Sequence, residues 1–158
     1  METALNELPL AIFTTLAPMG AGAFVVLAAA FCTMKLDEVK AKAVDRFSLI
    51  PLGLIAVGFI ASFFHLASPL KAYGVLSGIG HSPLSNEIAV GMVFFVAAIV
   101  YVALGLAGKL SASARKPFAL VVAVLALVFS LFAGLAYMMP TIPSWDSPLV
   151  PLEMVGSA

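Results

Sequence analysis

Residues 118–139 read FALVVAVLALVFSLFAGLAYMM, and no Asp, Glu, Lys or Arg interrupts them. About 20 helical residues cross a hydrocarbon core, so this stretch is long enough to span a membrane. Working outward, residues 9–33, 47–67 and 88–108 have the same uncharged, apolar character. Together they account for a protein of 158 residues that is 63% hydrophobic and 10% charged. A soluble domain carries about 25% charged residues. There is too little polar surface here to cover a globule, so the solvent of this protein is lipid. Backbone groups in lipid must be satisfied within their own segment, and each stretch is therefore expected to be a helix. Pro18 and Pro51 lie within or near span ends, where they start or kink helices that their neighbours support. The expected fold is an all-α, four-transmembrane-helix bundle over residues 1–147, with a proline-containing tail at 148–158.

The charges lie between the spans. Lys35, Lys40, Lys42 and Arg46 fall in the connection 34–46, and Lys109, Arg115 and Lys116 in the connection 109–117. Residues 68–87 hold only Lys71. By the positive-inside rule, the first and third connections face the cytoplasm, and both termini with residues 68–87 face the non-cytoplasmic side. The first residues carry Glu2 and Glu7 and no Lys or Arg before Lys35. They lack the positive start of a secretory signal, so the first span is expected to be retained. Net charge is zero, and no basic run points to nucleic acid. The single cysteine, Cys32, cannot form an internal disulfide, and no Cys/His cluster has metal-ligand spacing.

Residues 68–87, SPLKAYGVLSGIGHSPLSNE, are more than a linker. Glycines and two Ser-Pro pairs punctuate them, and interspersed apolar residues place the segment at the membrane surface. The tail segment MPTIPSWDSPLVPLE, 139–153, holds four prolines and is expected to form no regular helix. Its Trp145 suits the interface.

His65 ends the second span. On a helix its face is shared by Ser62, Ala61 and Gly58, small residues of the kind that line helix contacts in membranes. Phe59 and Phe63 are expected to point elsewhere. An ionisable group at such depth is a functional candidate; an interfacial histidine bonded to water or a carbonyl is the plain alternative. Glu87 opens the expected third span behind Ser85 and Asn86. It reads as a first-turn acid favoured by the helix dipole, with either neighbour as the cap. Proton exchange is compatible with that role. Lys71 reads as a snorkelling or headgroup-binding cation, and His81 as a solvated loop residue. Thr14, Thr15, Met138 and Met139 read as packing residues. No phosphate-binding loop or nucleophile–base motif is present, and the positions of the two histidines do not suit a bis-histidine haem.

The segments ELPLAIFT at 7–14, FIASFFHLASPLKAY at 59–73, SPLSNEIA at 82–89 and TIPSWDS at 141–147 occur in one order. Carrying them, the protein resembles the membrane-anchor subunit of the bacterial dimethyl sulfoxide reductase family, over roughly residues 7–147. The resemblance implies a protein of the bacterial cytoplasmic (inner) membrane. Such an anchor holds an iron–sulfur subunit and a molybdopterin catalytic subunit, oxidises menaquinol, and carries neither haem nor metal of its own. It implies that His65 is the residue at the quinol site and that Glu87 lies near it. Lys71 stands where the family more often has Arg; it keeps the charge and loses the bidentate fork. Family members usually have about eight spans, and this sequence has four. A shortened anchor, one half of a split subunit and a truncated product are the alternatives. A second anchor subunit or a homo-oligomer is the corresponding partner.

A site for quinol oxidation needs an apolar slot, a hydrogen-bond partner for a ring oxygen, and a proton exit. His65 would accept a hydrogen bond as neutral imidazole and then hold a proton, its ordinary pKa of about 6.5 suiting that cycle. Glu87 would relay the proton to water at the 68–87 loop, and Ser68 and Lys71 would orient a quinol oxygen. That loop and the tail would dock the iron–sulfur subunit. The competing reading is a non-redox anchor or assembly protein that binds a partner and no quinone. A small transporter is disfavoured because no charge lies within the expected spans.

Overall fold

The computed structural model describes residues 8–65, 74–75, 77–138 and 146–158. Among them the regular elements are helices: α1 (Leu8–Thr33), α2 (Glu38–Phe47), α3 (Leu49–His65), α4 (Pro83–Leu106), α5 (Ala112–Tyr137) and α6 (Leu149–Gly156). Four helical stretches are long and apolar enough to cross a membrane: Leu8–Thr33, Glu38–Phe64, Pro83–Leu106 and Ser113–Tyr137. The four expected spans are therefore present, with edges that differ for local reasons.

The connection 34–46 is largely helix α2. Asp37 caps it, accepting from the Lys40 N–H at 2.8 Å, and Ser48 stays right-handed, so α2 leads directly into α3. Helix α4 begins at Pro83 and not at residue 88. Ser82 is its cap, accepting from the Ser85 N–H, and Pro83 fills the first position, where a missing N–H costs nothing. Glu87 thus stands in the second turn, and neither Ser85 nor Asn86 is the cap. At the far end, Gly108 adopts φ +66° and stops the helix. The tail also departs from expectation, because α6 forms across Pro148 and Pro151. Pro148 is the cap residue and Pro151 lies in the first turn, where prolines cost no internal hydrogen bond. Helix α6 packs on α5, with Pro151 against Gly134, and residue Ala158 reaches Gly22 of α1.

The spanning helices close a ring. Helix α1 packs on α3 and α5, α5 on α4, and α4 on α3. The α1–α3 seam is tight because its residues are small: a side chain at Gly58 would stand 3.1 Å from Ala17, and one at Gly20 would stand 2.8 Å from the Pro51 carbonyl. With no hydrophobic drive between helices in lipid, such close backbone packing supplies the attraction. Aromatic rings fill the middle. Phe13, Phe59 and Phe129 meet one another, and Phe94 stacks on Phe129 with centroids 5.7 Å apart. Phe59 therefore faces the bundle core, contrary to the expectation from its neighbours, while Phe63 and Phe64 are exposed.

Candidate functional site

One face of α4 organises both polar regions of the bundle. Its buried residues Glu87, Gly91, Phe94, Ala98, Tyr101 and Gly105 recur every three to four positions, the spacing of a single helical stripe. Gly91 leaves room for the rings below Glu87; a side chain there would stand 2.8 Å from Phe59 and 3.1 Å from Phe129. The stripe thus runs from a carboxylate, across an aromatic floor, to a second polar cluster.

Glu87 is 3% exposed, and its Oε1 has no hydrogen-bond partner among the described residues. Above it, residues 77–82 fold against the start of α4. The Gly80 N–H donates to Asn86 Oδ1 at 2.7 Å, the His81 and Ser82 N–H groups donate to the Gly78 carbonyl, and Gly78 lies against the side chain of buried Ser85. Tyr137, at the end of α5, lies within electrostatic reach of Glu87. A carboxyl group withdrawn from water, with an oxygen that no described donor satisfies, is able to take up a proton or to accept a hydrogen bond from a ligand hydroxyl.

His65 is the last residue of α3, and α3 packs on α4, with Phe59 of the one against Gly91 of the other. Ser68, Lys71 and Trp145 lie outside the described residues. His81 is exposed, and so is Cys32. Among the described residues, no group of three or more His, Cys, Asp or Glu side chains could hold a metal ion.

The other end of the stripe holds a cluster that the local sequence does not announce. Asp45 is 1% exposed and Arg115 3% exposed. Arg115 Nε donates to Asp45 Oδ2 at 3.1 Å, and the Tyr101 hydroxyl donates to Asp45 Oδ1 at 3.2 Å. The guanidinium also reaches both carboxylate oxygens of Glu38, at 3.3 and 3.4 Å. Gly105 makes the approach possible, since a side chain there would stand 2.9 Å from the Asp45 carboxyl carbon. Three helices, α2, α4 and α5, are tied at this point. The expected spans themselves hold no charge, but the helices reach beyond them, and Glu87, Asp45 and Arg115 sit within those extensions. The signal was present as a spacing. Ala41, Asp45 and Ser48 are buried at intervals of four and three, as are Arg115, Ala119 and Val122, but a charge flanked by other charges looks solvated.

Comparison with known proteins gives the family. Residues 1–155 match the family model described as DMSO reductase anchor subunit (DmsC). The C subunit of the anaerobic dimethyl sulfoxide reductase of Haemophilus influenzae is 35% identical over 152 residues, covering 94% of this sequence and 53% of that protein. The corresponding C subunit of Escherichia coli K12 is 36% identical over 156 residues, covering 96% and 53%. The E. coli anaerobic dimethyl sulfoxide reductase subunit YnfH is 35% identical over 147 residues, covering 93% and 51%. The protein therefore spans about half the length of the curated relatives it matches. No solved structure matches it. With four apolar helices and these relatives, it is a multi-pass protein of the bacterial inner membrane, and it belongs to the DMSO reductase anchor subunit (DmsC) family.

Proposed function

We propose that this protein is the quinol-oxidising anchor of a dimethyl sulfoxide reductase-type complex. In this reading it binds menaquinol at the bundle end marked by Glu87 and passes electrons to an iron–sulfur subunit that serves a molybdopterin catalytic subunit. The observation that carries the reading is Glu87 itself. It is buried above an aromatic floor with one carboxylate oxygen unpartnered among the described residues, in a family named for its part in dimethyl sulfoxide reductase.

Oxidation of a quinol to a quinone releases two electrons and two protons. The electrons leave to the iron–sulfur subunit docked at the same end, which keeps the transfer distance short. The protons need acceptors inside an apolar slot. His65 accepts a hydrogen bond from one quinol hydroxyl as neutral imidazole and then holds its proton. Glu87 takes that proton onward to water at the turn 77–82, and the second quinol proton follows by the same path once His65 is neutral again. Ser68 and Lys71 orient a ring oxygen. The apolar side chains along α3 and α4 shelter the ring and tail. This outer loop and the segment leading to α6 form the docking face, with both termini on the non-cytoplasmic side.

The test uses the assembled complex. His65→Ala should insert and assemble normally and lose quinol-dependent reduction, while reduction by an artificial electron donor delivered directly to the catalytic subunits persists. Normal quinol turnover in that variant would sink the assignment. Glu87→Gln keeps the shape and removes the proton site, so its rate should fall and its pH profile should change. If both variants behave as wild type and a quinone analogue protects neither position, the protein is a non-redox anchor.

A further inference from the structure

Independently of the quinol reading, the opposite end of the bundle carries an uncommitted positive charge. Residues 34–46 and 109–117 hold seven Lys and Arg side chains against the three carboxylates of Asp37, Glu38 and Asp45. Each carboxylate is already engaged within the protein. Asp37 caps α2 and pairs with Lys40 at 3.5 Å, Glu38 pairs with Lys42 and Arg115, and Asp45 is closed in by Arg115 and Tyr101. Lys35, Arg46, Lys109 and Lys116 remain, all exposed and none with an ion-pair partner among the described residues.

The setting of these four cations decides what they meet. Arg46 follows Asp45 and Lys116 follows Arg115 along the sequence, Lys109 follows the end of α4, and Lys35 lies between α1 and α2, so all four stand at the ends of membrane-crossing helices. Large apolar side chains are exposed among them: Val39 at 79% and Phe47 at 64% on α2, with Met34 just before it. Cations interleaved with exposed Val, Phe and Met at a span edge match a layer in which phosphate groups overlie acyl chains. An acidic soluble protein would satisfy the charges and leave the apolar side chains bare. We propose that this face is a binding surface for anionic phospholipid headgroups, with Lys35, Arg46, Lys109 and Lys116 on the phosphates and Val39 and Phe47 in the acyl boundary. Arg115 keeps Glu38 and Asp45, and the α2 cap with Lys40 keeps Asp37, from competing for the same cations.

The experiment places the purified full-length protein in nanodiscs of phosphatidylcholine containing a minor fraction of phosphatidylglycerol. The lipid retained after detergent extraction is then weighed by native mass spectrometry. Wild type should retain phosphatidylglycerol in excess of its share. The excess should fall about fivefold for each cation neutralised, in the order single, double and quadruple Gln substitution at 35, 46, 109 and 116. The charge-keeping set Lys35→Arg, Arg46→Lys, Lys109→Arg and Lys116→Arg should retain the excess. Because charge removal can disturb insertion, a salt titration of wild type gives a second reading, and raising ionic strength should erase the excess. Retention in simple proportion to lipid content overturns the proposal, as does an excess indifferent to salt and substitution. Loss of a co-purifying acidic protein with unchanged lipid retention overturns it as well.

Discussion

Asp45 and Glu87 are both buried carboxylates, and both belong to polar clusters at the ends of the α4 stripe. Their surroundings are opposite. Asp45 has a guanidinium on one oxygen and a phenol on the other. Glu87 has an oxygen without a donor among the described residues. Burial of a charge is costly in either place. At Asp45 the cost is offset by partners that join three helices, so the group is part of the framework. At Glu87 no described residue satisfies Oε1, and in the proposed function that oxygen is the one that meets the quinol or its proton. Exposure alone would have ranked the two acids as equals; the partners separate them.

The strongest attempt to break this comparison is Arg115→Met. It strands Asp45 as an uncompensated buried charge, and such losses cost about 3–5 kcal/mol. Denaturant titration in micelles should register a loss of that size. The double variant Arg115→Met with Asp45→Leu should recover most of it, since replacing a whole buried pair by apolar residues is often neutral. If the single variant is as stable as wild type, the cluster is not a structural tie.

Tyr101→Phe removes only the hydroxyl donated to Asp45, a hydrogen bond to a charged group, and should cost about 1.5–3 kcal/mol by the same titration. A smaller effect belongs to the water side of the same end. The Lys40 N–H holds the Asp37 carboxyl below its usual value. A lowered folded-state pKa means that the cap stabilises α2 above the ordinary value of about 4 and weakens as pH falls through it. Amide exchange at Val39 to Ala41 should therefore quicken in acid and stay flat from about pH 5 to about pH 8, once the intrinsic base catalysis of exchange is divided out.

Glu87→Gln should have the smallest effect on stability: none, or a slight gain, because a neutral amide is cheaper to bury than a carboxylate. Its effect belongs in turnover instead. A loss of stability comparable to that of Arg115→Met would show that the contacts of Glu87 are structural, and the two ends of the stripe would then teach the same lesson.

Much of this protein is legible in the sequence alone. Runs such as 118–139 are long, apolar and uncharged, and lipid leaves them one backbone solution, so four helices follow from composition and length. The segments at 59–73 and 82–89 likewise point to the family, and to His65 and Glu87 as residues worth following. Cap chemistry is readable in part: Ser82 followed by Pro83 is a helix start, obscured by a first apolar-periodic residue five positions later. What required the tertiary structure was every decision about partners. Whether Glu87 is a first-turn acid at the helix dipole or a buried acid with an oxygen unpartnered among the described residues depends on where α4 begins and on how the 77–82 turn folds over it. Whether Asp45 and Arg115 are solvated loop charges or a buried tie depends on Gly105 and Tyr101, far from Asp45 along the sequence and brought against it by packing. Hydropathy is a local property that a sequence carries on its face; compensation of a buried charge is a contact between distant residues, and only the folded bundle contains it.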